Sequence, residues 1–294
     1  MFEEFKNAFS KSNNAHIQLI LINVVVFVAL VLLYVGAAIA GADGVFSAIY
    51  RHFSLMPFLQ EFMYRPHTIL TYAFSHSLKD IWHILFNMIS LYWFGRLFIE
   101  YLGNDRLIEV YILGALAGGL LYLGLFNSVP FFEQRAEIGM VGASAAIYAI
   151  MVACATLIPD YTFFLMFIGP VRIKYIALFF ILLSFLGTVS ANAGGNLAHL
   201  GGAALGYIYI RQLRSGRNLG AWVTAVLSGI KKLFSRSKAP KWTYHKNESP
   251  VSRGAGFVEV SQEEIDAILD KISERGYESL SKGEKEKLFR AGRK

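Results

Sequence analysis

The 294-residue chain has a single cysteine, Cys154. No intramolecular disulfide can form, and paired-cysteine metal or redox sites are excluded. Lying in an apolar run, Cys154 reads as a small packing residue. Charge is scarce as well: Asp, Glu, Lys and Arg make up 17% of the chain, against about 25% in ordinary soluble domains. There is no HExxH pair and no long internal repeat, which removes the zinc-helix and solenoid readings. A secretory leader is not expected, because the first 16 residues are polar and mixed in charge. The apolar run that follows is also too long for a leader's hydrophobic core.

What is abundant is apolar: 55% of residues are hydrophobic, including 24 Phe, and the mean hydropathy is +0.44. These values exclude a disordered chain and argue against an ordinary soluble domain. The net charge of +7 is unevenly spread. Residues 1–210 carry 10 Lys+Arg against 11 Asp+Glu, whereas residues 211–294 carry 18 against 10. Nine basic residues and no acid lie between Arg211 and Asn247. A basic run beside apolar segments reads as a cytoplasmic, membrane-flanking stretch able to meet anionic lipid, not as a nucleic-acid-binding surface.

A bilayer core about 30 Å thick takes roughly 20 apolar residues in a helix. Six candidate spans follow: Ile17–Ala40, Ile81–Leu102, Leu107–Phe126, Gly142–Ile158, Tyr175–Ser190 and Asn196–Ile210. Residues 41–75 form an aromatic-rich connection, too polar to span, whose amphipathic pieces suggest short interfacial helices. The basic tail is expected inside, so an even number of spans puts both termini in the cytoplasm. The connections 41–75 and 127–141 then lie outside. Beyond the bundle, Leu219–Phe234 reads as an amphipathic interfacial helix and residues 235–258 as a polar linker. Ser261-Gln-Glu-Glu264 and Ser281-Lys-Gly-Glu284 both match a capping box, so a small helical hairpin is expected over 259–294. The implied organisation is an N-terminal segment 1–16, an all-α six-helix membrane bundle over 17–213, a basic helix and linker over 214–258, and the hairpin.

Polar residues inside spans are costly and are functional suspects. His83 and Asn87 sit in the second span, Ser144 and Tyr148 in the fourth, and His199 in the sixth. A serine hydroxyl needs a base to become a nucleophile, and histidine is the usual one. Gly202 and Gly206, with Ala198 a turn earlier, make a small-residue face that would let two helices approach closely. Tyr148, four residues after Ser144, shares its helix face and can stack on an imidazole. His83 and Asn87, also four apart, can donate to a developing oxyanion. Each element also has a plain packing explanation. His76, His83 and His199 could alternatively ligate a metal, and the polar residues could line a transport path.

The combination of His83-Ile-Leu-Phe-Asn87, Gly142-Ala-Ser144 with Tyr148, and Ala198-His199-x-x-Gly202-x-x-x-Gly206 resembles the rhomboid family of intramembrane serine proteases over about Arg65–Ile210. The series Gly95, Glu100, Gly103, Arg106, Tyr111 and Gly114 is similar to the same family. The resemblance implies a Ser144–His199 dyad without an aspartate. The oxyanion site would be formed by the Ser144 N–H with His83 and Asn87. Tyr148 would pack on His199, Gly142 would keep the approach open, and His76 would lie near the oxyanion region. Glu100 would be a structural hydrogen-bonding residue, and the fifth span, joined through Ala193–Gly195, the lateral gate. No metal or cofactor is implied. The implied partners are transmembrane protein substrates, and the implied location is a bacterial cytoplasmic membrane. Tyr64-Arg65 stands where many relatives have Trp-Arg. An inactive relative that binds transmembrane helices without cutting is the alternative.

Overall fold

The computed structural model describes residues 14–134, 139–234 and 261–291. The chain divides near Arg236 into two compact units.

The first unit is a bundle of helices. Helix α1 (Ala15–Ile39) is followed by three short helices, α2 (Asp43–Tyr50), α3 (Leu59–Tyr64) and α4 (Thr68–Thr71), and a 3-10 turn over Tyr72–Phe74. Then come α5 (Ile81–Leu102), α6 (Asn104–Phe126), the short α7 (Pro130–Glu133), α8 (Ser144–Leu157), α9 (Ile173–Gly187), α10 (Ala193–Arg214) and α11 (Ala221–Phe234). The long helices coincide with the six expected apolar segments to within about one turn. By length and composition, α1 and α6 are long and apolar enough to cross a membrane. Large apolar side chains such as Val25, Leu32, Leu182 and Phe185 face outward, as they do when the solvent is lipid and not water.

Two expectations need correction. Residues Ala193–Gly195 are not a link but the first turn of α10. The Gly194 backbone passes so close to the Tyr122 ring that a Cβ there would lie 2.6 Å from it. The other departure is an antiparallel hairpin, β1 (Thr162–Leu165) and β2 (Gly169–Arg172), between α8 and α9. The hairpin leaves Phe164 on β1 and Met166, Phe167 and Ile168 in its turn exposed.

The core is a seam of small residues where α6, α8 and α10 meet. A Cβ on Gly202 would strike the Ala145 carbonyl, and one on Gly206 the Ala149 carbonyl, so α10 lies backbone-to-backbone on α8. Polar anchors hold the rest. Asn23 of α1 is fully buried and donates to the Tyr111 hydroxyl at 3.1 Å. Tyr111 in turn donates to the Ala73 carbonyl at 2.7 Å, and Tyr72 to the Ala115 carbonyl at 2.7 Å. These bonds fix the 41–75 connection onto α6.

The second unit is a helical hairpin. In α12 (Gln262–Arg275) the Ser261 hydroxyl accepts from the Glu264 N–H, and in α13 (Lys282–Ala291) the Ser281–Glu284 box closes in both directions. Lys271–Glu284 and Lys287–Glu264 ion pairs, each 2.8 Å, tie the two helices over buried Ile268 and Leu280. The expected linker 235–258 and most of the N-terminal segment 1–16 lie outside the described residues.

Candidate active site

Ser144 is the first residue of α8. Its N–H is one of those a helix start leaves without an intrahelical partner, and it points from the positive end of the helix dipole. The residues ahead of it are held by backbone bonds: Met140 pairs with Leu55 in both directions, and the Gly142 N–H donates to the Tyr72 carbonyl at 2.9 Å. The nucleophile candidate therefore sits on a braced turn and not on a loose loop.

His199 Nε2 lies 2.7 Å from Ser144 Oγ, although 55 residues separate the two in sequence. The close approach of α10 to α8 at Gly202 and Gly206 makes this distance possible. Without glycine there, the helices would stand too far apart for an imidazole to reach the hydroxyl. The Tyr148 ring lies parallel to the imidazole, with centroids 4.3 Å apart at 11°. The other imidazole nitrogen, Nδ1, is 3.1 Å from Ser184 Oγ on α9, and Ser184 Oγ also lies 2.9 Å from the Tyr148 hydroxyl. Ser184 was not singled out from the sequence.

Gly142 has φ +137°, a backbone conformation that a side chain resists. A Cβ at this position would lie 2.9 Å from His83 Nε2 and 3.5 Å from Ser144 Oγ. The space above Gly142 is thus shared between the His83 ring and the Ser144 hydroxyl. Asn87, on the same face of α5, uses its amide in a 2.7 Å bond to the His83 carbonyl, with its second N–H still to donate. The side chain of Asp80 accepts from the Trp82 N–H at 3.0 Å and caps α5 immediately before His83.

His76 is fully buried with its ring edge-on to His83, centroids 5.2 Å apart. Neither of its nitrogens has a hydrogen-bond partner among the described residues. Burial, with the neighbouring His83, pushes its pKa down to about 3, so it is a neutral ring buttressing His83. Among the described residues no group of three or more His, Cys, Asp or Glu side chains is placed to hold a metal ion.

Ser144, His199, Tyr148, His83 and Asn87 line one cavity of about 500 Å³, with Trp82 and Phe86 at its apolar side. A second cavity of about 650 Å³ adjoins it through Asp80, His83, Val141, Asn192 and Gly195. Glu100 is exposed, and among the described residues no hydrogen bond to its side chain gives it the structural part expected of it. That part falls to Glu109 on α6, which is buried and accepts from the Tyr209 hydroxyl (2.6 Å), the Thr224 hydroxyl (3.0 Å) and the Asn218 amide (3.2 Å). It ties α10 and α11 to the bundle. Its signal was an acid within an apolar helix, the same one that marked the histidines.

A model described as the Rhomboid domain matches residues 62–215, just over half of the chain. A second, described as a family of unknown function (DUF6576), matches residues 259–294. The chain is 35% identical over 200 residues to RHOMBOID-like protein 12, mitochondrial, of Arabidopsis thaliana, an alignment covering 62% of this chain and 58% of that protein. It is 30% identical over 165 residues to Rhomboid-like protein 16, chloroplastic, of the same plant, covering 52% and 51%. Rhomboid protein 1, mitochondrial, of Saccharomyces cerevisiae is 30% identical over 153 residues, covering 48% and 40%. The chain spans about half the length of these curated relatives.

Proposed function

The chain belongs to the rhomboid family, and we propose that it is an intramembrane serine endopeptidase hydrolysing peptide bonds in or beside transmembrane segments of other proteins. The observation that carries this reading is the 2.7 Å contact of Ser144 Oγ with His199 Nε2 in a cavity that also holds His83 and Asn87. In the proposed reaction His199 Nε2 takes the hydroxyl proton as Ser144 Oγ attacks the scissile carbonyl carbon. The resulting oxyanion is met by the Ser144 N–H, His83 and Asn87. The C–N bond then breaks as His199 returns the proton to the leaving amine. Water, deprotonated by the same base, hydrolyses the acyl ester and restores Ser144. A helical substrate must unwind locally, because its carbonyls are otherwise tied in backbone bonds.

Family membership makes this an integral membrane protein. The finer reading is that α1, α5, α6, α8, α9 and α10 all span, with both termini and the β1–β2 hairpin on the inner side and Ser144 near the outer one. The basic residues of α11 and the stretch after it would meet anionic lipid. The relatives' names refer to mitochondria and chloroplasts, so they lend no support to the bacterial inner membrane expected from sequence.

The test is cleavage of a single-span substrate in proteoliposomes by the full chain, Ser144→Ala and His199→Ala, together with fluorophosphonate labelling. Cleavage and labelling that vanish in Ser144→Ala support the reading. Cleavage that persists in Ser144→Ala, or wild-type protein that neither cuts nor labels, overturns it in favour of a non-proteolytic, helix-binding protein.

A further inference from the structure

Ser184 is the buried hydroxyl of a helix that is apolar after its first turn, 1% exposed among Phe, Leu and Ile. A serine in mid-helix ordinarily bonds its own i−4 carbonyl, which here is that of Phe180. Instead, the hydroxyl recorded on the Phe180 carbonyl is that of Tyr148, at 3.4 Å. Ser184 Oγ is left between the Tyr148 hydroxyl at 2.9 Å and His199 Nδ1 at 3.1 Å. Four groups from three helices thus form one chain: His199 Nδ1, Ser184, Tyr148 and the Phe180 carbonyl.

The protons of this chain run one way. A carbonyl can only accept, so in this arrangement Tyr148 donates to it over 3.4 Å and accepts from Ser184 over 2.9 Å. The single Ser184 proton is then spent on Tyr148, and towards His199 Ser184 has only a lone pair to offer. That lone pair pairs with an Nδ1–H. This order of donors calls for the tautomer whose Nε2 is bare, the form that can accept the Ser144 proton 2.7 Å away. After the transfer both nitrogens carry hydrogen, and the Nδ1–H bond to Ser184 persists without rearrangement.

We propose that Ser184 is a positioning residue for His199, fixing the tautomer and orientation of the base through Nδ1, the place a carboxylate occupies in a serine triad. The inference rests on reading Ser144 and His199 as nucleophile and base. It also makes the base depend on a third helix: Ser184 is on α9, whereas Ser144 and Tyr148 are on α8 and His199 is on α10. Any outward movement of α9 by more than about half an ångström stretches the 3.1 Å link beyond hydrogen-bond range, so the base is poised only when α9 is seated.

The experiment compares full-length wild type, Ser184→Ala, Ser184→Thr and Ser144→Ala in proteoliposomes, with 15N spectra of ring-labelled histidine read at His199. Ser184→Ala is expected to lower kcat about tenfold or more with little change in KM. Ser184→Thr, which keeps the oxygen, is expected to recover activity relative to alanine. The wild-type spectrum should show Nδ1 protonated and Nε2 bare, with the two forms mixing in Ser184→Ala. Wild-type protein with the proton on Nε2 overturns the inference whatever the folding of the variants, and so does Ser184→Ala with wild-type kcat and an unchanged spectrum. Cleavage surviving in Ser144→Ala instead strikes the underlying reading, so the two failures are distinguishable.

Discussion

The rings of Tyr148 and His199 lie parallel, 4.3 Å apart at 11°, although one belongs to α8 and the other to α10. An imidazole faced in this way cannot rotate about its Cβ–Cγ bond without pushing into the phenol.

A stacked aromatic pair is worth about 0.5–1.5 kcal/mol, so removing the ring should be felt in the rate. Tyr148→Ala is expected to lower kcat by up to about tenfold through this restraint alone. Tyr148→Phe should lose much less, because Ser184 can then donate to its own Phe180 carbonyl and still accept from His199. The measurement is kcat in proteoliposomes. A phenylalanine variant as slow as alanine would show that the hydroxyl outweighs the ring.

Gly142→Ala meets two obstacles together. At φ +137° a side chain is strained, by about 1–3 kcal/mol, and the new methyl lies 2.9 Å from His83 Nε2. The expected outcome is a folded protein with lowered thermal stability and no detectable cleavage. Fluorophosphonate labelling, which also generates an oxyanion-like group above Gly142, should fall with it. Full labelling of this variant would place the oxyanion elsewhere.

Glu109→Gln replaces a three-donor acceptor with an amide. One of its ends is an NH2, which either meets the Asn218 amide donor or turns the Tyr209 hydroxyl from donor to acceptor and costs its 2.6 Å bond. The mismatch should destabilise the protein by about 1–3 kcal/mol, and hydrogen exchange should speed up first over residues 218–224. Uniform loosening of the whole bundle would show instead that Glu109 serves the core and not α11.

The C-terminal hairpin has its own pH dependence. The Lys271 ammonium, with the Ser281 backbone and hydroxyl, holds the Glu284 carboxyl down at about 2 against an ordinary 4.5. A depressed carboxylate pKa adds stability above the unfolded value and loses it as pH falls through the folded one. Protection of the amides over 262–291 in the full chain should therefore be flat above about pH 5 and decline from about 4.5 towards 2, and Lys271→Met should shrink the decline, leaving the part due to the Ser281 bonds and to the Glu264–Lys287 pair. A decline centred above pH 5 would implicate other groups.

Much of the site was legible because its signals are strong in an apolar background. Ser144, His199, His83 and Asn87 stand out as polar groups that lipid would reject, and Gly202 and Gly206 carry a recognisable spacing. Ser184 was not legible: a lone serine is an ordinary packing residue in a membrane helix, and no spacing links position 184 to position 199. Glu109 was not legible: Glu100 came from the family resemblance, and nothing in the sequence around Glu109 shows that it faces Tyr209, Asn218 and Thr224, about a hundred residues on. The β1–β2 hairpin escaped because alternation over four residues is too short to register between two apolar helices. The glycines of Ala193–Gly195 read as a break, whereas at Gly194 the missing side chain makes room for Tyr122.

The contact of α10 with α8 at Gly202 and Gly206 has a consequence for where such a catalyst can operate. Ala145, whose carbonyl faces Gly202, follows Ser144 directly, and Gly202 is three residues from His199. The separation of Ser144 and His199 is therefore gauged by main chain resting on main chain, with no side chain between the two helices to act as a compressible shim. Bilayers differ in thickness from one organelle to another, and they act first on the lipid-facing flanks of α1 and α9. The tolerance of the Ser144–His199 spacing is set by the polypeptide itself, like a gauge block in a flexible frame.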